Sequence, residues 1–100
     1  MGDGADRRRV IIERGSVPNL PRYVKLRHDK ARDRWVLLAP ERILTPNAVA
    51  VDVVRRCDGK RSVEAIAGEL AEDYDAAVED IIADIIEMLQ DLADKGYIRA

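Results

Sequence analysis

The chain of 100 residues contains no phenylalanine, one cysteine, one histidine and one tryptophan. Its hydrophobic core must therefore be built almost entirely from valine, isoleucine, leucine and alanine, and a chain of this length supports one domain with a modest core. A single cysteine excludes an internal disulfide framework and is typical of a reducing compartment. We expect a cytoplasmic protein.

The sequence also lacks long apolar runs. No segment reaches the roughly 18 consecutive apolar residues that a membrane-spanning helix needs, and residues 1–21 contain no apolar run of signal-peptide length. These residues mix glycine, aspartate, arginine and proline around one short apolar patch at residues 10–12. We expect no export and no membrane partner, and we predict a flexible tail over residues 1–21 before a single domain over residues 22–100.

Residues with the chemistry for catalysis are scarce. A nucleophile needs a base beside it, and a metal site needs about three ligands held together. His28 continues the pattern of a strand, which favours a structural role. Cys57 falls on the inner face of a predicted helix near its C-terminus, where the helix dipole disfavours a thiolate and an inert core residue is expected. The sequence thus predicts a protein that is not an enzyme and needs no metal and no cofactor.

Charge is abundant and is divided between two halves of the chain. Residues 22–61 contain 11 Lys and Arg against 5 Asp and Glu, whereas residues 62–100 contain 2 against 11. This division indicates interaction with something charged or peptide-like rather than a particular fold. The carboxylates of the second half are spread along a predicted helix, which is typical of a solvated face and not of a cation site.

The basic half predicts three short strands joined by short turns. Val24 and Leu26 alternate with polar residues, residues 35–38 form a second apolar strand, and Pro40 suits the second position of the tight turn that follows. A third strand, at the edge of this antiparallel meander, consists of Arg42, Ile43 and Leu44. An edge strand presents unpaired backbone groups that an extended peptide can pair with, although the prolines that flank this one equally protect it from aggregation.

Two helices are predicted after the strands. The first begins at Thr45 and Pro46, where the threonine hydroxyl caps the free amides, and it ends before Gly59. The second is capped by Ser62 and runs to Tyr74 with apolar residues on one face.

A third helix is predicted over residues 76–95, with Asp75 as its cap and Gly96 at its end. Its apolar stripe consists of Val78, Ile82, Ile85, Leu89 and Leu92. Three more apolar residues widen this stripe beyond what one small core needs: Ile81, Ile86 and Met88. We predict a partner surface on this helix.

A three-stranded antiparallel sheet followed by three helices is an α+β fold of winged-helix-like type, and DNA binding is the alternative function that such a fold suggests. In that alternative the third helix would enter the major groove. Residues 76–95 carry six acidic residues and one lysine, so DNA phosphates would repel this helix. The charge therefore argues against a nucleic-acid partner.

The order of features around the third strand resembles the PqqD family of pyrroloquinoline quinone biosynthesis. The resemblance covers residues 22–100 and leaves the first 21 unmatched. The features are Leu37-Leu38-Ala39-Pro40-Glu41, then Leu44, a Val/Ala-rich helix ending in Cys57-Asp58-Gly59, the helix start Ser62-Val63, and the closing Asp94-Lys95-Gly96-Tyr97-Ile98.

This resemblance implies a peptide chaperone with a winged-helix-like fold. Such proteins bind the precursor peptide PqqA and present it to the radical S-adenosylmethionine enzyme PqqE, whose iron-sulfur cluster and cofactor belong to the enzyme. In related recognition domains the peptide pairs with the third strand and packs against the third helix. Carried over to this chain, the peptide contacts are Arg42, Ile43, Leu44, Ile81, Ile85 and Leu89.

Two further expectations concern partners. Arg55, Arg56, Lys60 and Arg61 form a basic corner that can face the enzyme, although a solvated helix end explains these residues equally well. The wide apolar face of the third helix and the patch at residues 10–12 permit a homodimer.

Overall fold

Three strands are followed by three helices in the computed structural model, which describes residues 9–100. The strands are β1 (Lys25–Asp29), β2 (Arg34–Ala39) and β3 (Arg42–Leu44). The helices are α1 (Ala48–Arg55), α2 (Val63–Tyr74) and α3 (Val78–Asp94). This order confirms the predicted α+β fold and is consistent with a winged-helix-like arrangement.

The sheet has the strand order β1-β2-β3, and both neighbouring pairs are antiparallel. Leu26, Leu37 and Leu44 lie opposite one another across it. Residues directly opposite share one face of a sheet, and the completely buried Leu37 identifies this row as the inner face. Leu38 and Ile43 are paired in the next row and point to the outer face.

The turn between β2 and β3 consists of Pro40 and Glu41, which lie between the paired residues Ala39 and Arg42. Pro40 therefore occupies the second position of a tight turn, as predicted. Glu41 has a φ of 60°, in the left-handed region that residues with a Cβ disfavour. The backbone is strained at this residue.

Replacing Glu41 by glycine is expected to stabilise the fold by about 1 kcal/mol, because glycine adopts positive φ without the steric penalty of a Cβ. The greater freedom of glycine in the unfolded chain offsets part of the gain. Urea unfolding followed by circular dichroism measures the change, with Glu41→Ala as the control that keeps the Cβ. A free energy of unfolding no higher in Glu41→Gly than in Glu41→Ala would show that this residue is not strained.

Helix α1 begins later than predicted. The side chain of Asn47 accepts a hydrogen bond from the backbone N–H of Ala50 at 2.8 Å, so Asn47 is the cap and the prediction of Thr45 is wrong. The physical reason is that asparagine is a stronger cap than threonine. Ser62 caps α2 as predicted, since its hydroxyl oxygen accepts from the backbone N–H of Ala65 at 3.0 Å.

Asp75, predicted to cap α3, instead ends α2. Its φ of 49° is left-handed, and its backbone N–H donates to the carbonyl of Ala71. Aspartate is among the few residues that tolerate this conformation at a helix end. Helix α3 follows after Ala77 with no side-chain cap, because the short connection holds Asp75 at the C-terminus of the preceding helix.

The core lies between the inner face of the sheet and the helices. Its completely buried side chains include Leu37 from β2, Val53 from α1, Ile66 from α2 and Leu89 from α3. Cys57 is buried among them, and burial raises the pKa of its thiol to about 12. Cys57 is therefore a core residue, as predicted.

Residues 10–21 also pack against the domain. Ile12 is buried in the core, and the backbone N–H and C=O of Asn19 pair with Arg99 at 2.8 and 2.9 Å. The structure differs here from the prediction of a flexible tail, because an apolar patch too small to fold by itself adds to a core that the rest of the chain provides. Residues 1–8 of the predicted tail lie outside the described part of the chain.

The N-terminal segment, residues 9–21, contacts one flank of α3. The side-chain amide of Gln90 accepts a hydrogen bond from the N–H of Ile12 and donates one to the carbonyl of Val10, both at 2.8 Å. The guanidinium of Arg9 donates to both carboxylate oxygens of Asp94 at 3.0 Å. A helix side chain thus pairs with the backbone of this segment as a neighbouring strand would.

Candidate functional site

The outer edge of β3 is unpaired within residues 9–100. In a two-residue hairpin the residues that flank the turn, here Ala39 and Arg42, exchange both backbone hydrogen bonds, and the residues of the next pair do not. Ile43 belongs to that next pair, so its N–H and C=O point away from β2. Ile43 is therefore the β3 residue whose backbone faces the free edge.

A groove runs beside this edge, between β3 and α3. It has a volume of about 250 Å³, with Leu44 on the strand side and Met88 and Leu92 on the helix side. Its lining also includes Leu37, Thr45, Pro46, Asn47, Ala50, Val54 and Asp91. We call it the β3–α3 groove. An extended chain paired with Ile43 would lie over it.

A second depression, the helix pocket, lies between the three helices and has a volume of about 180 Å³. Its lining consists of Val49, Val53, Leu70, Tyr74, Ala76, Ile81, Asp84, Ile85 and Met88. Met88 borders both the helix pocket and the β3–α3 groove. The two depressions thus form one mostly apolar surface on either side of this methionine.

The three predicted strand residues have different positions relative to the groove. Ile43 is 70% exposed on the outer face of the sheet, whereas Leu44 lines the groove. The guanidinium of Arg42 lies over the ring of Tyr97, 4.7 Å from its centre. The Arg42 side chain therefore joins β3 to the C-terminal end of the chain through a cation–π contact.

The three predicted helix residues divide between pocket and core. Ile81 lines the helix pocket and is partly buried. Ile85 reaches the same pocket but is only 2% exposed, and Leu89 is completely buried. Met88, which the sequence indicates only as surplus apolar surface, has the more central position. Helical periodicity identifies the apolar stripe, but packing against β3 decides which residue at its border faces outward.

Carboxylates flank this surface along α3. Asp84, Glu87 and Asp91 surround Met88 in a shallow depression of about 440 Å³. Asp91 pairs with Lys95 at 2.9 Å, whereas Asp84 and Glu87 form no ion pair in the part of the chain that the structure describes. Their i, i+3, i+7 spacing is the sequence signal that places them on one flank of the helix.

The predicted basic corner is largely paired with carboxylates of α2. Arg56 lies 2.9 Å from Glu69, and Arg61 shares the same carboxylate at 3.3 Å. Arg55 and Lys60 are exposed. These last two form no ion pair with another described residue, and the guanidinium of Arg55 lies over the ring of Trp35, 5.8 Å from its centre.

Residues 9–100 contain no group of three or more His, Cys, Asp or Glu side chains that could hold a metal ion. No helix in the same residues is long and apolar enough to cross a membrane. His28 packs its ring against Trp35, with ring centres 5.1 Å apart, and lies 3.2 Å from Asp33. These contacts of the exposed His28 with Trp35 and Asp33 are consistent with the structural role that the sequence favours.

Comparison with known proteins gives consistent matches over most of the chain. Residues 34–98 match the family model of coenzyme PQQ synthesis protein D, PqqD. The PqqA binding protein of Rhodopseudomonas palustris strain BisB5 is 50% identical over 91 residues, which cover 91% of this chain and 89% of that protein. The PqqA binding protein of Xanthomonas oryzae pv. oryzae strain KACC10331 is 48% identical over 88 residues, which cover 88% and 96%.

Two solved structures share the fold. The solution structure of the PqqD truncation of Methylobacterium extorquens PqqCD, a stand-alone recognition element for ribosomally synthesized and post-translationally modified peptides, has a TM-score of 0.78 and 43% identity, covering 89% of this chain and 95% of that one. The crystal structure of PqqD from Xanthomonas campestris has a TM-score of 0.57 and 44% identity, covering 89% and 99%. With the family model matching 65 of the 100 residues, this chain belongs to the PqqD family.

Proposed function

We propose that this chain is a non-enzymatic recognition domain that binds the precursor peptide PqqA in pyrroloquinoline quinone biosynthesis. The observation that carries the proposal is the position of Ile43, whose backbone N–H and C=O face a free strand edge directly beside the apolar β3–α3 groove. An added strand gains affinity from such backbone groups and specificity from side-chain depressions next to them. The names of the relatives support PqqA as the guest.

The proposed peptide contacts are four of the six residues that the family resemblance implies, with Met88 added; Leu89 is completely buried and Arg42 lies over Tyr97, so neither lines the groove or the pocket. The backbone of Ile43 pairs with the peptide, while Leu44 and Met88 form the two sides of the groove. Ile81 and the exposed part of Ile85 extend the contact into the helix pocket. Arg42 and Leu89 support this surface from the sheet and from the core.

We further propose that the bound peptide is presented to the radical SAM enzyme PqqE. The basic corner contributes to this contact through Arg55 and Lys60, because Arg56 and Arg61 already pair with Glu69.

A homodimer remains a prediction that light scattering over a range of concentrations tests.

Titration of synthetic PqqA into the ¹⁵N-labelled protein tests peptide binding. We expect the amide resonance of Ile43 and those of residues 81–92 to shift at micromolar peptide, because these amides lie at the free edge and along α3. A PqqA peptide of scrambled sequence is the control for non-specific contact, and duplex DNA at low salt tests the alternative function. Unshifted β3 and α3 resonances with micromolar PqqA would refute peptide recognition, whereas salt-dependent shifts with DNA would favour the alternative.

A further inference from the structure

The apolar surface formed by the β3–α3 groove and the helix pocket is bordered by charge of one sign. Asp91 lines the groove, Asp84 lines the pocket, and Glu87 lies beside Met88 between them. Among the described residues that line either depression there is no lysine or arginine. A guest with carboxylates at these positions would be repelled, and a guest with a cation there would be attracted.

Two of the three carboxylates are available to a guest. Asp91 already pairs with Lys95 on the next turn of α3. Asp84 and Glu87 are three residues apart, which is about 4.5 Å along a helix axis, and side chains at this spacing are neighbours. A single ammonium or guanidinium group can therefore reach both.

We propose that the occupant of this surface is an extended segment of PqqA that directs apolar side chains toward Met88 and a lysine or arginine toward Asp84 and Glu87. The inference rests on the proposed function and specifies the chemistry of the peptide. The aliphatic stem of a long cationic side chain packs along apolar surface while its charged end stays near water and the carboxylates. The carboxylates thus select against acidic peptides.

Fluorescence anisotropy with labelled synthetic PqqA tests this charge requirement. The double variant Asp84→Asn with Glu87→Gln is compared with a control, Asp33→Asn with Glu72→Gln. The control also replaces one aspartate and one glutamate by their amides, but at exposed positions outside both depressions. We expect the first to raise the Kd about three- to tenfold at low salt and the second to change it less than about twofold. At about 1 M salt, where screening is nearly complete, the difference between the first variant and the wild type should vanish.

A PqqA peptide with its lysines and arginines replaced by glutamine provides the second arm. This peptide should bind the wild type as weakly as the unmodified peptide binds the Asp84→Asn, Glu87→Gln variant. Because its cations are already gone, its affinity for that variant should be little lower than its affinity for the wild type. Equal low-salt affinity of wild type and variant for unmodified PqqA would overturn the charge requirement. If Ile43→Pro still weakens binding in that case, the proposed function stands. Failure of PqqA to bind the wild type at all would overturn both.

Discussion

Replacing Leu89 by alanine is expected to lower the free energy of unfolding by about 2–5 kcal/mol. Leu89 is completely buried in the middle of α3 and belongs to the cluster that contains Leu37 of β2 and Ile66 of α2. Its loss leaves a cavity where sheet and helices meet. Because small domains are stable by only about 5–15 kcal/mol, this variant should be partly unfolded at moderate temperature.

Urea unfolding and PqqA titration of Leu89→Ala and of Met88→Ala separate a core role from a binding role. Met88 is only partly buried, so its truncation should cost about 1 kcal/mol of stability while weakening PqqA binding through loss of groove contact. A Leu89→Ala protein as stable as the wild type, with weakened peptide binding alone, would contradict the assignment of Leu89 to the core.

Replacing Ile43 by proline is expected to weaken PqqA binding about five- to 100-fold while the protein stays folded. Proline removes the N–H that faces the free edge, and one unmade hydrogen bond to the guest costs about 1–3 kcal/mol. The sheet itself keeps its hydrogen bonds, because the bonded pairs next to Ile43 are those of Arg42 and Leu44. Proline is tolerated on an edge strand where the N–H does not face the neighbouring strand.

Ile43→Thr is the matched control for this substitution. Threonine keeps the N–H and a β-branched side chain, and the Ile43 side chain is 70% exposed on the outer face, away from the groove. Its affinity for PqqA should stay within about threefold of the wild type, in line with the small effects of surface substitutions. If both variants bind equally weakly, the side chain rather than the backbone of Ile43 contacts the guest. If Ile43→Pro binds as well as the wild type, the peptide does not pair with β3.

The order of elements could be predicted from the sequence because each element has a local signal. Alternation marks the first strand, Pro40 marks the turn before β3, and Ser62 marks the start of α2. The prediction is wrong for two helix caps, and in both places the sequence allows two assignments. Thr45 and Asn47 both suit a cap, and Asp75 suits either the end of one helix or the start of the next.

The features that could not be predicted from the sequence depend on contacts between residues far apart in the chain. The apolar patch around Ile12 becomes part of a core built by residues far along the chain, and Gln90, 78 residues later, pairs with the backbone of this patch. The outward position of Met88 depends on where β3 lies against α3. Periodicity indicates an apolar face on this helix, but tertiary packing divides that face into the buried Leu89 and the exposed border beside it.

The contact between Gln90 and the N-terminal segment has a practical consequence for how the protein is handled. Residues two apart on a helix point in nearly opposite directions, so Gln90 lies across α3 from Met88. An affinity tag, a fluorophore or a fused protein attached ahead of Arg9 therefore joins the molecule on the side remote from the β3–α3 groove. Immobilisation on a sensor through that end should leave the groove open to soluble peptide.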